Sequence, residues 1–245
     1  MQHRAMNERE YSKQNVESLT SNPKPRVAVA LCLDNSGSMG GEPIRELNEG
    51  VRAFYEGVLD DKKARSAVEV CMVTFDYEAV VVRNYCDDIT KLEIPRISTR
   101  GGETHIGEGV NKALDMLERR KEEYKAAGAD YYQPWLVLMT DGEPYGEDKS
   151  VTQKAMQRAS AMVKDGKLVV IPIGIGDEAD RDTLRGFSPE REPMKLQGLK
   201  FKEFFTWLSR SACKVANTKD KDSTDIIQGQ PDGVQSWGTL RTGGR

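Results

Sequence analysis

The chain has 245 residues, 38% of them hydrophobic and 31% charged, and a net charge of -3 at pH 7. That length holds one α/β domain with tails, or two small domains, beneath a well-solvated surface. The charge balance excludes a global nucleic-acid-binding field, and no apolar run approaches the ~20 residues of a membrane span.

Residues 1–25 read as a flexible N-terminal tail, polar and ending in Ser21-Asn22-Pro23-Lys24-Pro25, whose prolines favour an extended entry into the first strand. Met1 to Asn22 carries no apolar core of a signal peptide, so the expected compartment is the cytoplasm. Val27 to Leu33 is short, apolar and β-branched, as a buried parallel strand should be. It runs into Asp34-Asn35-Ser36-Gly37-Ser38-Met39-Gly40, a small polar turn, and Pro43 then suits the opening turn of a helix over Pro43 to Leu59. Ile44, Leu47, Val51, Phe54, Tyr55 and Val58 give that helix one apolar face.

Val68 to Phe75 and Ala79 to Tyr85, separated by Asp76-Tyr77-Glu78, read as a hairpin that adds one antiparallel strand to a parallel sheet. Ser98 to Gly107 contains Gly101-Gly102 and then Thr104, which either caps the next helix, Ile106 to Ala126, or offers a hydroxyl to a ligand. His105 beside it reads as incidental. Val110, Ala113, Leu114 and Leu117 are the apolar face of this helix. Trp135 to Met139 is nearly all apolar and so central; it stops at Thr140-Asp141-Gly142-Glu143-Pro144, where Gly142 and Pro144 force a turn. A helix follows over Lys149 to Lys164, with Ala155, Met156, Ala159 and Val163 inward. Leu168 to Ile175 is another buried strand, and Pro172 within it indicates an edge or a bulge. Asp180 to Gly186 reads as a short helix, Met194 to Leu196 as a last short strand, and Phe201 to Val215 as an amphipathic helix. Residues 217–245 read as a flexible C-terminal tail, leaving one domain over 26–216. The four cysteines, Cys32, Cys71, Cys86 and Cys213, form no Cys-x-x-Cys and read as reduced; a Cys32–Cys71 disulfide is the rarer alternative.

Asp34, Ser36 and Ser38 place one carboxylate and two hydroxyls at alternate positions of a tight loop leaving the carboxyl end of a strand, where open α/β sheets bind ligands. Hard oxygens suit a hard cation such as Mg²⁺, which takes about six. Ser, Asp and Gly are also ordinary turn residues, so the first loop decides nothing alone. Thr104 and Asp141 follow two further segments that could converge on the same point.

The order of these pieces resembles the metal-ion-dependent adhesion site of von Willebrand factor type A domains: Asp-x-Ser-x-Ser at Asp34, a Thr after a Gly-rich turn at Thr104, and Thr-Asp-Gly at Thr140. The likeness spans about Arg26 to Ala216. It implies a Rossmann-like α/β fold, a mostly parallel sheet with one antiparallel edge strand and helices on both faces. It further implies Ser36, Ser38 and Thr104 as hydroxyl ligands of Mg²⁺ (or Mn²⁺ or Ca²⁺), with Asp34 and Asp141 binding directly or through water. Asp34 to Met39 with Gly41-Glu42-Pro43-Ile44, Val73 to Asp76, Leu138 to Pro144 and Phe204-Phe205 with Trp207-Leu208-Ser209 resemble bacterial cytoplasmic members of the TerY tellurite-resistance type. Asn35 stands where such relatives more often have Thr or Ser. The resemblance implies a stress-response setting with Ser/Thr kinases and phosphatases as neighbours and candidate partners.

The function expected from this is non-catalytic: a metal-dependent protein-binding module in which a partner's Asp or Glu completes the cation's shell. Glu42, Glu103, Glu108, Glu143, Glu147 and Asp148 lie near the site against Arg45 and Arg100, as an acidic rim or as solvated helix-terminal charges. The alternative is a Mg²⁺-dependent phosphoryl-transfer or hydrolase enzyme. Against it, the first loop lacks a second carboxylate, there is no Gly-x-x-x-x-Gly-Lys loop, and Ser38 has no evident histidine base with an orienting group.

Overall fold

The structure, a computed structural model, describes residues 19–20, 22, 24–85, 89, 93–218 and 232–236. Its elements in chain order are β1 (Val27–Asp34), α1 (Glu42–Asp60), β2 (Val68–Phe75), β3 (Ala79–Arg83), α2 (Ile106–Ala127), β4 (Trp135–Thr140), α3 (Lys149–Lys164), β5 (Val169–Gly174), α4 (Arg181–Phe187), β6 (Met194–Leu196), α5 (Phe201–Asn217) and β7 (Val234–Ser236). The strands form one seven-stranded sheet in the order β3-β2-β1-β4-β5-β6-β7. β2, β1, β4, β5 and β6 run parallel, and β3 lies antiparallel on β2, as the short Asp76-Tyr77-Glu78 link requires.

The strand order fixes where a ligand can sit. From β1 the chain moves outward to β2 and β3, then returns through α2 to place β4 on the other side of β1. The loops leaving β1 and β4 therefore diverge over opposite faces and leave a crevice at their carboxyl ends. Asp34 ends β1, and Thr140 ends β4.

Side-chain alternation builds two cores, one on each face. Val27, Val29, Leu31 and Leu33 of β1 pack with α1 and α5, including Leu47, Phe54, Phe204, Phe205 and Leu208. Ala28, Ala30 and Cys32 pack with α2, α3 and α4, including Val110, Leu114, Leu117, Ala155 and Leu184. A strand buried on both faces must be apolar, and β1 up to Asp34, β4 up to Thr140 and β5 are.

Four local features differ from the sequence reading. The inward face of α3 is Thr152, Ala155, Ala159 and Met162, with Met156 and Val163 at its margin. The helix is turned because Thr152 docks on Gly107: a Cβ at Gly107 would lie 2.6 Å from the Thr152 backbone. Pro172 sits neither on an edge strand nor at a bulge. β5 pairs with β4 along its length, but β6 runs beside it only at Ile173 and Gly174, so Pro172 meets no β6 partner. Val234 to Ser236, inside the stretch read as a tail, forms β7 antiparallel to β6 and closes the second sheet edge. Leu19, read as part of the N-terminal tail, is buried in the core beside α2. Asn22 and Lys24 also hydrogen-bond Ser66, and most of the rest of both tails, with Cys86, lies outside the described residues.

Cys32 and Cys71 are buried free thiols. Burial pushes both thiols up, Cys71 to about 12. Among the described residues, no helix is long and apolar enough to cross a membrane.

Candidate metal centre

β1 delivers Asp34 fully buried to the sheet edge, and the chain then closes a one-turn 3-10 helix over Gly37–Met39. The Ser36 backbone N–H donates to Asp34 Oδ1 at 2.8 Å, which bends the loop back over the carboxylate. The Ser36 and Ser38 hydroxyls share a hydrogen bond at 3.0 Å, so alternate positions do face one point. Gly37 between them is forced: a Cβ there would stand 3.0 Å from the Gly101 carbonyl oxygen of the second loop.

β4 supplies the rest of the chain of contacts. Thr140 Oγ1 donates to Asp34 Oδ2 at 2.6 Å, and Ser38 Oγ donates to Asp141 Oδ1 at 2.9 Å. Asp34, Ser36, Ser38, Thr140 and Asp141 thus form one connected group across the β1–β4 crevice. Thr140 was not foreseen in this role; its signal was its place at the last position of a buried strand beside Asp34's strand.

Thr104 joins through backbone. It forms a two-bond antiparallel bridge with Tyr145, N–O 2.9 and 3.1 Å, which ties the second loop to the third. Its side chain is buried, and among the described residues its hydroxyl has no hydrogen-bond partner. It does not cap α2: Glu147 does so from the third loop, accepting from the Gly107 N–H at 2.6 Å and the Glu108 N–H at 3.2 Å. The His105 N–H donates to the Asp76 carbonyl at 2.8 Å and anchors the loop to the β2–β3 hairpin. Asn35 faces away from the serines, its Nδ2 donating to the Ser98 carbonyl at 3.0 Å.

The electrostatics call for a positive ligand. Burial pushes the Asp34 carboxyl up to about 6, against the lowering hydrogen bonds from Ser36 and Thr140, and the Asp141 charge adds to the rise. Burial also raises Asp141, opposed by the Ser38 hydroxyl. Among the described residues, no basic side chain is a leading influence on either carboxylate. Among the described residues, no trio of His, Cys, Asp or Glu side chains stands at metal-binding spacing, so a cation here would rely on hydroxyl oxygens. Two carboxylates and three hydroxyls are a hard-oxygen donor set that fits Mg²⁺ or Mn²⁺.

Comparison with known proteins agrees with this architecture. Residues 28–200 match the von Willebrand factor type A domain model. An uncharacterised Synechocystis protein, sll0103, is 29% identical over 171 residues, which cover 66% of this chain and 36% of that protein. A von Willebrand factor type A protein from Catenulispora acidiphila superposes with a TM-score of 0.60 at 18% identity, covering 78% of this chain and 43% of the other. Proximal thread matrix protein 1 of the mussel byssus, solved with a zinc-occupied MIDAS motif, superposes with a TM-score of 0.52 at 17% identity, over 88% of this chain and 48% of that one. The chain thus spans about a third of the curated relative it matches and under half of these structures. With the match running across most of its length, the chain belongs to the von Willebrand factor type A domain family.

Proposed function

We propose that this chain is a non-catalytic protein-binding module whose contact with a partner runs through a divalent cation. Ser36, Ser38 and Thr104 would hold the ion by their hydroxyls, with Asp34 and Asp141 bound directly or through water. Mg²⁺ is the preferred ion on donor hardness, with Mn²⁺ and Ca²⁺ as alternatives. The bound ion supplies an exchangeable position for an Asp or Glu of the partner. The observation that carries this reading is the pair of carboxylates joined through Ser36 and Ser38, with no basic side chain among the described residues a leading influence on either.

The side chains give little support to catalysis. Among the described residues no serine or cysteine hydrogen-bonds a histidine at the site: Ser38 donates to Asp141 Oδ1, and the His105 ring meets Glu103 at 2.8 Å and not Ser38. The stress-response setting, the cytoplasmic location and a Ser/Thr kinase or phosphatase as partner rest on the resemblance of the loop motifs to the TerY type, and belong to the same proposal.

Affinity capture from a bacterial lysate, with and without chelator, tests the reading. A partner retained with Mg²⁺, released by chelator and lost with Asp141→Ala supports it. Retention that ignores both chelator and substitution overturns it.

A further inference from the structure

The acids around the site are largely engaged within the fold. Glu147 caps α2 and accepts from Thr152 Oγ1 at 3.0 Å, and Asp148 caps α3 through the Ser150 N–H at 2.7 Å. Glu103 and Glu108 flank the His105 ring at 2.8 and 3.6 Å, and Glu42 pairs with Arg45 at 3.5 Å. Among the described residues Glu143 alone of the six makes no such contact, and it is exposed. The rim therefore holds one unengaged carboxylate, Glu143, beside acids that are tied into the fold and partly exposed.

Two aromatic rings are exposed beside it. Only three large hydrophobic side chains are exposed among the described residues; of these, Tyr145 at 67% is on the third loop of the site, and Tyr77 at 43% is on the β2–β3 link beside the second. Tyr145 is the residue bridged to Thr104, two positions after Glu143. Tyr77 lies against the second loop: a Cβ at Gly101 would stand 2.6 Å from its ring, and Gly101 in turn abuts Gly37 between the two serines. The Arg100 guanidinium sits 5.6 Å from the Tyr77 ring centroid and donates to its hydroxyl at 3.0 Å, which steadies the ring. Tyrosines are frequent anchors in protein interfaces because a rigid ring buries much area at low entropic cost.

We propose that Tyr77 and Tyr145 are the aromatic anchors of the docking surface, and that they receive a protein loop whose carboxylate is flanked by Lys or Arg and by apolar side chains. The flanking chemistry follows from the rim. A basic side chain beside the carboxylate would pair with the exposed Glu143, and Tyr145, exposed two positions on, offers a ring face to a cation. An acidic neighbour would face Glu143 and the engaged acids behind it. Apolar flanks cover the two rings. The inference rests on the metal-mediated reading for the carboxylate itself, and adds the anchors and the flanking sequence.

The test is selection of a random peptide library on the Mg²⁺-loaded full chain, with elution by chelator and sequencing. Selected peptides are then titrated against wild type, Tyr77→Ala, Tyr145→Ala and Tyr145→Phe, with Mg²⁺ affinity measured for each variant by calorimetry. The expected peptides carry Asp or Glu beside Lys or Arg. They weaken by roughly tenfold or more with either alanine variant and bind Tyr145→Phe nearly as wild type, at unchanged Mg²⁺ affinity. Chelator-eluted peptides that have a carboxylate but bind both alanine variants as wild type, or that favour acidic flanks, overturn the anchors while leaving the metal reading standing. If no peptide is chelator-eluted, or Mg²⁺ does not bind, the metal reading falls and this inference with it.

Discussion

Ser38 Oγ donates to Asp141 Oδ1 at 2.9 Å across 103 positions of sequence, and this bond joins the loop after β1 to the loop after β4. It fixes the spacing of two oxygens that would otherwise move independently on separate loops. Asp141→Ala should lower Mg²⁺ affinity roughly 10–100-fold, the scale for groups that hold a metal ligand in place. Ser38 is exposed and Asp141 half-buried, so the fold should survive; calorimetry and thermal unfolding on the same sample check both halves.

Asp34 gives the metal-free chain a pH dependence of definite sign. Its carboxyl rises from the ordinary 3.8 to about 6 in the fold, so between those values the folded state holds a proton that the unfolded chain has released. Stability from this group is therefore greatest below about 4 and falls as pH rises through 6. Asp34→Asn should make the metal-free protein more stable at pH 7 by about 1–3 kcal/mol, with the advantage vanishing toward pH 4. Urea titrations at the two pH values decide it; a variant less stable at pH 7 would show that the ionised carboxylate is held by something other than a missing cation.

A second buried charge group lies at the opposite end of β2. Arg120 Nε donates to Glu69 Oε2 at 2.7 Å, Arg26 Nε stands 3.8 Å from Glu69 Oε1, and the Tyr124 hydroxyl also donates to Glu69. The Arg120 guanidinium lies 5.0 Å from the Tyr124 ring centroid. Glu69→Gln removes the carboxylate that Arg26 and Arg120 share, while Arg120 keeps Glu123 at 2.6 Å, and should cost about 3 kcal/mol in denaturant unfolding. Glu69 pairs with Ala28, far along the strand from the Phe75–Asp34 pair at the site, so Mg²⁺ affinity should not change.

Gly107 tests the docking of α3 on α2. An alanine in a helix normally stabilises it by up to about 1 kcal/mol relative to glycine. Here its Cβ would meet the Thr152 backbone at 2.6 Å, so Gly107→Ala should instead destabilise by about 1–3 kcal/mol. Thr104 lies on the loop that enters this helix, so the same variant should also weaken the cation. A raised melting temperature would contradict the packing.

The strands and helices were legible because each has a local pattern. The apolar runs at Val27 and Trp135 and the inward stripe of α1 mark elements without knowledge of their neighbours. The oxygen-bearing residues of the proposed site were legible as residues that follow an apolar strand or a Gly-rich turn, and their role as donors is a proposal. What escaped was pairwise and distant. Thr140 on Asp34 spans 106 positions and Glu147 on Gly107 spans 40, and neither residue differs locally from an ordinary turn or helix-start residue. Glu69 sits inside an apolar run and reads as a blemish until Arg26 and Arg120 are brought beside it. β7 is three residues in a polar, glycine-containing stretch, too short for any period to register.

In the proposed site three loops converge on one cation, and Thr104 is the donor least tied to the others, because its hydroxyl has no hydrogen-bond partner among the described residues. Anomalous diffraction from a crystal of the full chain soaked in Mn²⁺ tests this directly. The expected result is a single strong peak bonded to Ser36 Oγ, Ser38 Oγ and Thr104 Oγ1, lost in Asp34→Ala. A soaked crystal with no peak at the β1–β4 crevice, or a peak that leaves Thr104 uncoordinated, would contradict it.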